Sequence, residues 1–127
     1  SSINLYGLNI WGSPITPDFN PIRWAFNKSR GRNISIVWDS IPDNTDIVIT
    51  HTPPSYILDF VAYNKRFEGC SDLALRLEQV KPKLHVFGHI HENWGTEEKN
   101  GTLHCNAAIL DDAYKIVAEP HKIILTI

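Results

Sequence analysis

The sequence contains no methionine, only two cysteines, no long apolar run and no marked excess of either charge. Twelve basic and fourteen acidic side chains are scattered along 127 residues, leaving a net charge of −2. That spread provides neither the basic stripe that a phosphate backbone demands nor a polybasic membrane anchor. Nucleic acid is therefore not expected as an obligatory partner. No window approaches the roughly 18 apolar residues of a spanning helix, and Ser1-Ser2-Ile3-Asn4 lacks the basic and apolar regions of a signal peptide. The expectation is a soluble, cytoplasmic chain with no membrane partner. Cys70 and Cys105 fit buried, reduced thiols better than a disulfide framework, and the sequons at Asn27, Asn33 and Asn100 then read as chance matches. Dinucleotide-type and P-loop glycine motifs are missing as well. The missing methionine means either that an initiator was removed or that the chain starts inside a longer polypeptide.

What is present is a hydrophobic content of 43%, enough for one core and too little chain for two independent domains. Residues 3 to 12 alternate imperfectly around Gly7 and predict a hairpin. Prolines at 14, 17 and 21 predict an ordered loop, with Trp24 and Phe26 expected to pin it down. Ile34, Val37, Trp38 and Ile41 recur at helical spacing before Pro42. The β-branched run from Asp46 to Thr50 predicts a strand buried on both faces. Residues 52 to 70 show no sustained period and are expected to form a long loop, with room for one helical turn. Ser71 is placed to cap a helix whose inner face is Leu73, Leu77 and Val80 and which Pro82 ends. A second buried strand is expected at residues 84 to 88, a hairpin around Asn100-Gly101, and a final strand at 122 to 127. This order predicts an α/β fold with strands of mixed direction, whose ligands gather at the carboxyl ends of the strands.

Both groups of chemically informative histidines lie at such ends. Gly88-His89-Ile90-His91 follows one strand, and two imidazoles separated by one residue can turn toward one pocket. His51 follows the other. Three neutral imidazoles with an open position can hold a catalytic zinc or similar ion and acidify its water toward a pKa of about 7. On the residues alone, this is a mononuclear hydrolytic or binding site. His85, inside a strand, fits a hydrogen-bonded core position, while His104 and His121 lack ligand-type neighbours. Ser55 and Cys70 lack a partner base for nucleophilic catalysis. Asn93 and the loop from Thr52 to Tyr63 are placed to line the pocket.

A strand ending in His51, then a strand ending in Gly88-His89-Ile90-His91, resembles the C-terminal motifs of calcineurin-like metallophosphoesterases. Gly-Ser-Pro at 12 to 14, Trp-Ala-Phe-Asn at 24 to 27, Pro-Asp-Asn-Thr-Asp-Ile at 42 to 47, Thr-His-Thr-Pro-Pro at 50 to 54 and Lys-Pro-Lys-Leu-His-Val-Phe-Gly at 81 to 88 resemble its metallophosphoesterase-domain-containing branch. The resemblance implies that residues 1–127 are the C-terminal portion of one α/β/β/α sandwich domain with mixed sheets. It also implies two divalent ions (manganese, iron, zinc or magnesium), with His51 and His89 on the second ion and His91 on the first. The implied substrate is a small phosphate ester or nucleotide, with phosphodiesters preferred. The sequence departs from the family in having no Asp-x-His, Gly-Asp or Gly-Asn-His motif. The general acid is therefore unassigned, and fewer or weaker ions are expected in this chain alone. Two cations about 4 Å apart repel strongly without a bridging carboxylate. The chain is thus expected to work with an N-terminal fragment of the same protein or as a homodimer, or else to be a non-catalytic nucleotide- or metal-binding module.

Overall fold

The computed structural model describes residues 1–19 and 24–126. The expected first hairpin joins β1 (Ser2–Leu5) to β2 (Leu8–Ser13). Leu5 pairs with Leu8, and both intervening residues, Tyr6 and Gly7, have positive φ (51° and 84°). That is the two-residue turn whose twist suits a hairpin. Two short strands follow, β3 (Thr16–Pro17) and β4 (Asn27–Lys28), and then α1 (Arg32–Asp39). β5 (Ile47–Thr50) leads into a long excursion that carries β6 (Phe60–Val61) and β7 (Arg66–Phe67). After it come α2 (Ser71–Val80), β8 (Leu84–Phe87), and the hairpin of β9 (Gly95–Lys99) and β10 (Thr102–Asn106).

Six strands make one mixed sheet in the order β1-β2-β5-β8-β10-β9. The four inner strands run parallel, and β1 and β9 are antiparallel edges. The register aligns Trp11, Val48, His85 and His104 in one row across the inner strands, and Gly12, Ile49, Val86 and Cys105 in the next. Successive residues point to opposite faces, so these rows mark the two sides of the sheet. Both helices cover the Trp11 side. Ile34 and Trp38 of α1 and Leu73, Leu77 and Val80 of α2 close over Trp11 and Val48, with the rings of Trp11 and Trp38 edge to face at 6.3 Å. Trp38→Ala is expected to cost about 3–5 kcal/mol, because it empties the centre of this layer.

The other side is open. Ile3 is 61% exposed and Ile49 45%, and both border an apolar groove of about 740 Å3. The expectation that residues 46–50 are buried on both faces is thus corrected: only the face carrying Val48 is covered. Among the described residues no helix or second sheet packs against this apolar wall.

Other expectations are adjusted for physical reasons. The excursion at 52–70 holds no helical turn; its aromatic residues pair across a small hairpin, Phe60 opposite Phe67 with rings 5.3 Å apart. Ser71 is the first residue of α2, and Cys70 occupies the cap position with extended backbone and no side-chain cap bond. The helix ends at Lys81, in left-handed conformation, just before Pro82. Trp24 and Phe26 do not anchor their loop in the core. They are more than half exposed along the groove, with Trp24 edge to face against Phe19 at 5.6 Å. Residues 122–126 form no strand, having no ladder partner among the described residues, and Ile127 lies outside the described residues. Pro21 of the proline-rich loop also lies outside them. Cys70 and Cys105 are buried and unpaired, as expected.

Candidate metal centre

β5 and β8 are adjacent and parallel, so the residues just past their carboxyl ends come side by side. Gly88 N–H donates to the carbonyl of His51 (3.1 Å) and continues the ladder by one step. The chain then turns sharply at His89, whose φ is 68°, and Ile90 N–H donates back to Gly88 O at 2.8 Å. A three-residue turn with positive φ at its centre is rare and strained. It turns the His89 ring toward His51. The two rings lie 4.8 Å apart, and His51 Nε2 faces His89 Nδ1 at 3.1 Å.

The two nitrogens share a hydrogen bond, and the same separation fits a cation that would replace its proton. Nitrogens bonded to one ion at about 2.1 Å, with angles between octahedral and tetrahedral, stand about 3.0–3.4 Å apart. Both rings are also held in the neutral, ligating form. Burial, with His51 and His91 adding to it, pushes His89 down to about 4. Burial first and His91 second lower His51. The ring of Phe19 packs against His89 at 5.1 Å and limits access from that side.

His91 begins a 3-10 turn, His91–Asn93. Its Nδ1 donates to the carbonyl of Asp111 at 3.0 Å, which leaves Nε2 as the free nitrogen, the pattern of a ligand oriented by its second nitrogen. His89 and His91 border a common cavity of about 310 Å3. Even so, among the described residues no group of three or more His, Cys, Asp or Glu side chains is gathered closely enough to hold a metal ion. The expected convergence of three imidazoles on one cation is therefore reduced to a pair, His51 with His89, and His91 stands apart. Strand direction explains this: the turn at His89 brings that ring back to β5, while His91 follows the chain toward the segment after β10.

The remaining histidines have structural roles. His85 is fully buried beneath α2's side of the sheet and bonds Thr50 and His104. The Thr50 hydroxyl donates to Thr52 O (2.8 Å), so His85 Nε2–H donates to Thr50 Oγ1 (2.9 Å) and His85 Nδ1 accepts from His104 Nδ1–H (3.2 Å). Burial drives His85 well below its ordinary value, His104 adding to this. His121 stacks on Trp94 at 4.4 Å. Cys70 is a core thiol, fully buried in the helix-covered layer, and burial raises its pKa.

The excursion at 52–70 is fastened to the site. Glu92 accepts from Ala62 N–H through both oxygens (3.1 and 3.2 Å), and Asn93 Nδ2 donates to Phe60 O (2.6 Å). Asn93 therefore positions the β6–β7 hairpin instead of lining the pocket, whereas Thr52 and Val61 do border a cavity with His89. Glu92, next to the histidine motif, carries a role that only its neighbourhood in sequence hinted at.

No family model matches the sequence. Individual relatives do. Metallophosphoesterase domain-containing protein 1 of Homo sapiens is 39% identical over 121 residues, which cover 94% of this chain and 36% of that protein. A UPF0046 protein of Caenorhabditis elegans is 37% identical over 123 residues, covering 94% of this chain and 43% of the relative. A solved crystal structure superposes with a TM-score of 0.59 at 16% identity, covering 84% of this chain and 43% of that one; this likeness shows the fold alone. The chain spans less than half the length of the curated relatives named here. Over nearly its whole length the chain is similar to the metallophosphoesterase domain-containing proteins, and its mixed α/β sheet shares the fold of that solved structure.

Proposed function

We propose that this chain is the C-terminal portion of a metal-dependent phosphoesterase domain, acting on phosphodiesters of nucleotide type in preference to monoesters. The observation that carries the reading is the pair of neutral imidazole nitrogens, His51 Nε2 and His89 Nδ1, facing each other at 3.1 Å where two parallel strands end. A divalent ion held there supplies Lewis acidity toward a phosphoryl oxygen. The chain's own residues do the positioning. His89 is turned inward by its backbone, His51 extends the adjacent strand, and His91, fixed through Nδ1, offers Nε2 to a second ion in a manganese-type dinuclear centre.

The rest of the ligand set, a bridging carboxylate and a general acid, is assigned to polypeptide beyond this chain. An N-terminal portion of the same protein, or a second copy, would also cover the open sheet face. Two unpaired thiols suit the reducing cytoplasm. A Mn2+-dependent phosphodiesterase assay of the chain, alone and joined to the missing portion, tests the reading. Turnover should require the longer form, and equal turnover by the chain alone would overturn this division of the site.

One observation favours a second reading, a non-catalytic metal- or nucleotide-binding module: no cluster of three or more ligands exists among the described residues. Ion stoichiometry separates the two. Two ions with turnover in the longer protein support the enzyme, and one ion without turnover supports the module.

A further inference from the structure

A second cavity, about 630 Å3, opens on the side of His89 facing the β6–β7 hairpin. Asp18, Arg30, Asn64, Arg66 and Glu68 border it with His89, so its walls are charged where the sheet-face groove is apolar. We propose that this cavity is the subsite for the leaving-group side of the ester, and that Arg66 selects a hydroxylated leaving group carrying its own anionic group. This rests on the phosphoesterase reading above.

Three of the charged or polar groups are already engaged in building the wall. Arg30 donates to Gly69 O (2.7 Å) and Glu68 O (3.0 Å), and lies 4.0 Å from the Glu68 carboxylate. Asn64 Nδ2 donates to the other Glu68 oxygen at 2.8 Å, while its own oxygen accepts from the Arg66 backbone N–H at 3.1 Å. The Glu68 carboxylate is thereby engaged from two sides, and the hairpin tip is set. The Arg66 guanidinium makes no hydrogen bond or ion pair among the described residues. Asp18 borders the same cavity, and its side chain likewise makes none among them.

A guanidinium fork suits the paired oxygens of a phosphate or carboxylate, and a carboxylate accepts from hydroxyls. The hairpin that carries Arg66 is held to the histidine turn by Glu92 and Asn93. Arg66 therefore borders the same cavity as His89 from a fastened element. A volume of this size suits a small ligand.

Titration calorimetry of the Mn2+-loaded protein with fructose 6-phosphate and fructose 1,6-bisphosphate tests the proposal. The bisphosphate should bind about tenfold or more tightly. Arg66→Gln should collapse that ratio toward one, leave fructose 6-phosphate binding unchanged and leave the circular dichroism spectrum unaltered; Arg66→Lys should keep part of the ratio. Equal binding of both sugars to the unmodified protein, or a ratio that survives Arg66→Gln, overturns the role of Arg66 while leaving the phosphate site standing. Failure of either sugar to bind overturns this proposal, while the phosphoesterase reading stands or falls by its own Mn2+-dependent phosphodiesterase assay.

Discussion

His89 combines a left-handed backbone with a pKa held at about 4 by burial and its histidine neighbours. Left-handed backbone costs an ordinary residue roughly 1–2 kcal/mol, and glycine nothing comparable. His89→Gly should therefore raise the ion-free melting temperature while lowering affinity for Zn2+ or Mn2+ by about a hundredfold or more. Unchanged ion affinity in that variant would remove His89 from the site. His85 and His104 pose a different test. Folding holds both neutral, with His104 down at about 4 through burial and Lys99, and His85 well below its ordinary value. The unfolded chain protonates each near pH 6.5. Below that pH it binds more protons than the folded chain, so stability must fall as pH falls, by up to about 1.4 kcal/mol per pH unit for each histidine. Urea denaturation across about pH 7 to 5 should show this decline, with a shallower slope in His104→Gln; an identical slope would contradict the neutral pair.

Among the elements, the β6–β7 hairpin depends on contacts outside itself, since two-residue strands supply little ladder of their own. Glu92→Ala should raise amide exchange at Ala62 and its neighbours about tenfold without changing exchange in α2; equal protection would show that the hairpin stands unaided. Gly69 holds the base of the same excursion. A Cβ there would strike the Pro54 carbonyl and lie 2.7 Å from Asp59 Oδ2, so Gly69→Ala should cost roughly 1–3 kcal/mol in chemical denaturation. These dependencies mark what the sequence could show and what it could not. The runs Ile47–Thr50 and Leu84–Phe87, and the spacing of Leu73, Leu77 and Val80, were legible because apolar period reports burial. Those strands also delivered His51 and His89 to one edge. Phe60–Val61 and Arg66–Phe67 are too short to display a period, and no residue type announces the left-handed turn that aims His89. The run at β5 could not by itself show that one side is open, because an apolar run looks the same whether or not a second layer covers it.

For the whole molecule, the controlling feature is the sheet face bordered by Ile3, Ile10 and Ile49 with the exposed rings of Phe19, Trp24 and Phe26. An apolar patch of this kind marks an interaction surface. Ile49→Lys should make the chain more soluble by itself yet prevent assembly with the covering portion proposed above, as sedimentation would show. Under the function proposed above, the same assembly would complete the site at His51, His89 and His91, so that folding and function would share one surface.

Titrating Zn2+ into the protein while following the ring nitrogens of its histidines by NMR tests the ion site most directly. One equivalent should shift His51 Nε2 and His89 Nδ1 together to metal-bound values, while His85 and His104 stay unmoved. Binding that leaves those two nitrogens unchanged, or shifts only one of them, would contradict the shared site.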